Sequence, residues 1–127
     1  MTGPVFRRLW MTLVAALAAI IAIGSLLPFQ LPGNDIGGDK FGHLFMYFVL
    51  ALAGSGIVAK ERVWIVMLRC LLLGAALEVA QELWTETRRG DWRDMAANGA
   101  GVLAAWLVVR NGRNNWSRYV EDWLGRR

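Results

Sequence analysis

The chain has 127 residues, enough for a single domain, with a net charge of +4 and one cysteine, which excludes an internal disulfide. Apolar residues make up 56% and charged residues 19% of the sequence, and the mean hydropathy is +0.37, so the composition excludes an ordinary soluble domain. No basic face alternates with aromatic residues as base stacking requires, so we expect no nucleic-acid partner.

Four apolar segments predict an all-α integral membrane bundle, since a helix crosses the bilayer core with about 20 residues. We predict one domain over residues 1–127, with four transmembrane helices at residues 9–27, 40–58, 63–84 and 94–109. Because Arg7 and Arg8 precede the Ala-rich first segment, a signal peptide is the alternative there. The segment exceeds the usual apolar run of about 7–15 residues, so we interpret it as a retained helix.

The tail beyond Arg110 is polar, but large apolar residues recur in it at helical spacing. They are Trp116, Tyr119, Val120, Trp123 and Leu124, at i, i+3, i+4, i+7 and i+8. This spacing places them on one helical face, so the sequence predicts an amphipathic interfacial helix at residues 114–125. Contact of the same face with a partner protein is the alternative.

Basic residues flank alternate ends of the four predicted helices. They are Arg7 and Arg8, then Lys60 and Arg62, then Arg110, Arg113, Arg118, Arg126 and Arg127. The positive-inside rule puts those ends, and with them both termini, in the cytoplasm. The loop after the third helix breaks the rule, because it carries Arg88, Arg89 and Arg93. Arginines that break the rule are candidates for a functional site.

Polar residues share a helical face near one end of three predicted helices. They are Asp39, His43 and Tyr47 in the second helix, Glu78, Gln81 and Glu82 in the third, and Asp94, Asn98 and Gly101 in the fourth. The predicted topology places these three ends at the same depth on the external side. We therefore expect them to form one site. A carboxylate as deep as Glu78 needs a partner, such as Lys40, Arg88 or Arg89.

The residue types suggest roles for the members of this predicted site. We interpret His43, Glu78 and Asp94 as candidate catalytic residues, because a histidine beside a carboxylate can hold a proton near neutral pH. Candidate ligand-binding residues are Asp39, Lys40, Tyr47, Gln81, Arg88, Arg89 and Asn98, of which the basic ones suit phosphate or carboxylate. Structural roles are the alternative, with Asp39 as a helix cap and Asn98 as an interhelical hydrogen-bond partner.

The same residues include types that bind metal ions. Asp39, His43, Glu78, Asp94 and Asn98 offer oxygen ligands and one imidazole, which suits a divalent ion. No His-x₃-His pair or cysteine pair accompanies them, so the sequence predicts no metal and no cofactor.

The polar residues resemble the pattern of the VanZ-like family, which is named for a protein linked to low-level teicoplanin resistance. The pattern runs Asp39-Lys40-x-x-His43-x-x-x-Tyr47, Glu78-x-x-Gln81, Arg88 with Asp94 six residues later, and Asn98-x-x-Gly101. The resemblance covers residues 39–101 and implies a small polytopic protein of the bacterial inner membrane. The segment around Arg88 is more basic than the family pattern, so either Arg88 or Arg89 matches the motif arginine.

The leading hypothesis is an envelope protein whose extracytoplasmic site binds or modifies an anionic head group of a lipid or a cell-wall precursor. The resemblance, and not the residues, suggests a lipid-linked or glycopeptide ligand and a link to teicoplanin resistance. One alternative is a non-catalytic scaffold whose buried charges hold the helices together. Another is a small proton-coupled transporter. Expected partners are membrane lipids and either further copies of the chain or another membrane protein.

Overall fold

The computed structural model describes residues 3–26, 38–84 and 92–126, with the side chains of residues 38–40 excepted. All regular structure in these ranges is helical, which confirms the all-α prediction. The helices are α1 (Pro4–Leu26), α2 (Gly38–Ser55), α3 (Val63–Trp84), α4 (Trp92–Val109) and α5 (Ser117–Gly125), with a 3-10 turn at Lys60–Arg62 between α2 and α3.

The helix bounds differ from the predicted spans by three or more residues at three ends, one of which is the end of α2, at Ser55 instead of residue 58. Helix α1 begins at Pro4, a residue that fits the first turn because its missing N–H has no partner there in any helix. Helix α5 begins at Ser117, three residues later than predicted. Asn115, two residues earlier, has a φ of 56°, which a right-handed helix does not allow, and its backbone N–H donates to the carbonyl of Ser55 at 2.8 Å.

The four long helices alternate in direction. Trp10 near the start of α1 bonds to Ala53 near the end of α2, and Gln81 near the end of α3 bonds to Ser25 near the end of α1. His43 near the start of α2 bonds to Asn98 near the start of α4. Consequently α1 and α3 run one way, and α2 and α4 run the other. We call the end with His43 the polar end, and the end with Trp10 the tryptophan end.

Helices α2 and α4 pack against each other more extensively than any other pair of described helices. Ala51 of α2 and Ala105 of α4 are fully buried. A Cβ atom at Gly101 would overlap the backbone carbonyl of Leu44 and lie 3.0 Å from the nitrogen of Phe48. Small residues thus let the two backbones approach closely, as in many membrane helix pairs.

At the tryptophan end, carbonyl groups in the last turn of α2 and just after it accept hydrogen bonds from other parts of the chain. The donors come from α1, from the segment before α5 and from the first residue of α5. The bonds are Trp116 Nε1 to the oxygen of Leu52 (2.8 Å), Trp10 Nε1 to Ala53 (2.9 Å), Asn115 N to Ser55 (2.8 Å), Ser117 N to Gly56 (2.9 Å) and Asn114 Nδ2 to Val58 (2.9 Å). The C-terminal segment is therefore anchored to the bundle before α5 begins.

Two described helices are long and apolar enough to cross a membrane, Pro4–Leu26 and Lys60–Trp84, the second counted with its 3-10 turn. In the most apolar window of α1, only 11% of the residues are buried. The apolar part of α2, Phe41–Ser55, is shorter. Length and composition therefore support two of the four predicted spans.

Candidate functional site

The polar end holds buried polar side chains contributed by three helices. His43 of α2, Glu78 of α3, and Asp94 and Asn98 of α4 are all at least 92% buried. The sequence predicted that these faces would meet, and the structure brings the four side chains together. Burial this deep is costly for ionisable groups unless hydrogen bonds or opposite charge compensate.

His43 is the centre of this cluster. Its Nδ1 lies 3.0 Å from Oδ1 of Asn98, and its Nε2 lies 3.7 Å from Oδ2 of Asp94. An amide oxygen only accepts hydrogen bonds, so Nδ1 carries the proton in this pair. The hydrogen bond fixes the orientation of the ring and directs Nε2 toward the carboxylates.

Glu78 completes a compact group of three ionisable side chains. One potential ligand atom each from His43, Glu78 and Asp94 lies within 4.8 Å of the other two. Two carboxylates and one imidazole at this spacing are able to exchange a proton or to share a cation.

A small residue of α3 makes room for Asn98. A Cβ atom at Gly74 would lie 3.0 Å from Nδ2 of Asn98 and 3.3 Å from the ring of Tyr47. Tyr47 itself is 1% exposed and forms part of the hydrophobic core. Sequence reasoning missed Gly74. The available signal was its position four residues before Glu78, on the same face of the helix.

Gln81 connects α3 to a helix that the predicted site did not include. Its Nε2 donates to the backbone carbonyl of Ser25 at 2.6 Å, and both residues are buried. The hydroxyl of Ser25 in turn donates to the carbonyl of Ile21. This contact ties the last turns of α1 and α3 together. A ligand-binding role for Gln81 stays a prediction.

Four candidate residues fall outside the described side chains. Asp39 and Lys40 lie in the first turn of α2, with only their backbones described, and Arg88 and Arg89 lie in the segment 85–91. Their roles stay predictions.

Comparison of the chain with protein-family models, with curated proteins and with solved structures finds no match. The proposals below therefore depend on the geometry and on the sequence pattern.

Arginine side chains line a cavity near the tryptophan end. This groove of about 410 Å³ lies between α1, α2 and α3, and its wall is largely apolar. Arg7, Arg62 and Arg69 line it, and Arg7 also donates to the carbonyl of Ile57 at 3.3 Å. Arg69 lies in α3, nine residues before Glu78. Its shared groove with Arg7 and Arg62 became apparent only in the folded chain.

Proposed function

We propose that this chain is a four-span protein of the bacterial inner membrane whose polar end faces outward and binds an anionic head group. Support for the membrane location comes from the surface of the helices. Large apolar side chains such as Val5, Leu9, Ile20, Leu72 and Leu103 are more than half exposed. Apolar surface of this extent is typical of contact with lipid or with a partner.

Contacts of α1 favour a retained first helix over a cleaved signal peptide. Trp10 caps α2, and Ser25 accepts a hydrogen bond from Gln81, so the helix is tied to the bundle near both ends. Cleavage and loss of α1 would remove the Ser25 carbonyl that accepts the hydrogen bond from the buried Gln81 side chain. The short apolar part of α2 and the polar start of α4 fit two further spans whose polar ends lie at the membrane surface.

Labelling of single cysteines tests the proposed topology. In a Cys70→Ser background, Thr87→Cys between α3 and α4 is expected to react with a membrane-impermeant maleimide in intact spheroplasts. Asn111→Cys, between α4 and α5, is expected to react only after the membrane is permeabilised. Reaction at Asn111→Cys but not at Thr87→Cys in intact spheroplasts would reverse the orientation and contradict an outward-facing polar end.

The buried cluster of His43, Glu78, Asp94 and Asn98 is the observation that carries the proposed binding function. Ionisable groups at this depth are costly, and in membrane proteins they commonly mark a binding or proton-transfer site. In this proposal Lys40, Arg88 and Arg89 bind the phosphate or carboxylate of the ligand. Glu78 and Asp94 orient these cations, and His43 with its neighbouring carboxylates transfers protons where the bound group is modified.

The VanZ-like pattern extends this proposal to the class of ligand. A protein of that kind would act on an envelope component such as a lipid-linked cell-wall precursor, or would respond to a glycopeptide such as teicoplanin. This extension depends on the resemblance alone, and the binding proposal does not require it.

The arginine groove favours a second candidate function at the opposite end of the bundle. Its apolar wall fits an acyl chain, while Arg7, Arg62 and Arg69 offer positive charge to a phosphate. In the proposed topology this end faces the cytoplasm, where anionic lipids attract basic residues. The groove would then hold a structural lipid, and this lipid would take no part in ligand binding at the polar end.

Binding of short-chain lipids to the purified full-length protein tests both candidates in one experiment. Dihexanoyl phosphatidic acid and a polyprenyl phosphate are the anionic probes, and dihexanoyl phosphatidylcholine is the zwitterionic control. Removing an arginine that binds phosphate through charged hydrogen bonds costs about 1.5–3 kcal/mol, which is a tenfold or greater loss of affinity. We expect that loss for the pair Arg88→Gln and Arg89→Gln, and none for Arg126→Gln at the chain end.

The variants distinguish the two sites and the scaffold alternative. If the pair Arg62→Gln and Arg69→Gln loses binding while the Arg88 and Arg89 pair retains it, the lipid occupies the groove and the polar-end proposal is wrong. If no anionic probe binds, and Glu78→Gln and His43→Ala lower the melting temperature and abundance, the cluster is a structural clasp. Dependence of binding on a proton gradient in liposomes would favour the transporter.

A further inference from the structure

The described part of the polar end is acidic, although the proposed ligand is an anion. Glu78 and Asp94 are both buried, and the imidazole of His43 lies between them and Asn98. Together with the imidazole they present two carboxylate oxygens and one ring nitrogen within 4.8 Å of one another, which are ligand types that divalent cations take in proteins.

The orientation of His43 suits a metal ligand. Because Nδ1 donates to Asn98, Nε2 is the ring nitrogen that can offer a lone pair to a metal, and it faces Oδ2 of Asp94. At 3.7 Å the two atoms are too far apart for a hydrogen bond. A histidine that ligates a metal typically donates its other N–H to an oxygen acceptor, as His43 does here.

The distance between Nε2 of His43 and Oδ2 of Asp94 fits two ligands of one metal ion. Zinc binds histidine nitrogen and carboxylate oxygen at about 2.0–2.2 Å, which places neighbouring ligand atoms of a tetrahedral site roughly 3.4 Å apart. The 3.7 Å between His43 and Asp94 is close to that spacing, and all three ligand atoms lie within 4.8 Å of one another. Small side-chain rotations would complete the site.

We propose that His43, Glu78 and Asp94 bind one divalent cation, with Asn98 holding the imidazole in place. Mixed imidazole and carboxylate ligands suit Zn²⁺ or Mn²⁺ better than Ca²⁺. Three protein ligands leave an open coordination position, as in zinc sites that bind substrates. This inference deepens the proposed function and rests on it in one respect: an anionic oxygen of the head group takes the open position.

Sequence reasoning predicted no metal because no paired histidines or cysteines occur. That criterion detects ligands close together in sequence. Here the three ligands come from three helices, with Glu78 in α3 lying 35 residues after His43 in α2 and 16 residues before Asp94 in α4. Their proximity depends on the packing of the bundle.

Metal titration of the full-length protein tests this inference. After treatment with EDTA and its removal, the protein in detergent is titrated with Zn²⁺ and with Mn²⁺ by calorimetry, and its metal content is measured by mass spectrometry. We expect one equivalent of metal. Glu78→Gln and Asp94→Asn preserve side-chain shape and should each weaken binding at least tenfold. Asn98→Ala should weaken it about 10- to 100-fold through the imidazole.

Asp122→Asn, an exposed carboxylate in α5, is the matched control and should bind as the unaltered protein does. Absence of metal in the unaltered protein, or equal binding by the Glu78, Asp94 and control variants, would overturn the metal site. Head-group binding that persists in EDTA would then leave the proposed function standing. Metal binding without head-group binding would support the site and refute the function.

Discussion

Replacing Gly101 with alanine is expected to lower the free energy of unfolding by about 3 kcal/mol, at the upper end of the usual cost of overpacking. The added methyl group would overlap the carbonyl of Leu44 and crowd the nitrogen of Phe48. Both contacts involve backbone, so no side-chain rotation relieves them. Helices α2 and α4 would have to separate. Because His43 and Asn98 lie on these two helices, their hydrogen bond would lengthen as well.

Unfolding in sodium dodecyl sulfate titrations measures this effect, and Gly99→Ala is the matched control. A Cβ atom at Gly99 meets only Leu71, at an ordinary 3.9 Å. The same exchange, two residues away in the same helix, should therefore leave stability unchanged or raise it by about 0.5–1 kcal/mol, because alanine favours helix over glycine. Equal stabilities of the two variants would show that α2 and α4 do not pack through Gly101.

Replacing Trp116 with alanine is expected to cost about 3 kcal/mol, since truncating a packed tryptophan leaves a large cavity. The indole nitrogen donates to the carbonyl of Leu52, and the ring meets Trp10 edge-on with centroids 5.1 Å apart. Trp116→Phe keeps an aromatic ring but removes the donor. It should cost about 1–2 kcal/mol, because the carbonyl of Leu52 loses its donor in this part-buried contact.

Thermal unfolding in detergent, with Trp84→Ala as control, checks this prediction. Trp84 is 79% exposed at the end of α3, so its removal should change the melting temperature little. A melting temperature for Trp116→Ala equal to that of the control would mean that the C-terminal segment is not anchored to α2. In that case, the alternative of a freely lying surface helix beginning before Trp116 would be favoured.

The amphipathic tail illustrates a prediction that the structure refines. Periodicity put Trp116, Tyr119 and Trp123 on one face, and Tyr119 and Trp123 are indeed more than half exposed, as an interfacial helix requires. Trp116 instead precedes α5 and packs against Trp10. Helical periodicity cannot distinguish an apolar residue that faces lipid from one that docks on another helix, because both positions favour the same side chains.

The sequence by itself determined the helical class, the approximate helix bounds, and which polar residues share a helix face with His43, Glu78 and Asp94. These features follow from the period of the helix and from the length of apolar segments, both of which are local. Only the tertiary structure decided that Asn98 is the partner of His43, that Gln81 bonds to Ser25, and that Gly101 lies against α2. Those contacts depend on which helices are neighbours and how closely they approach, and that is set by packing between residues distant in sequence.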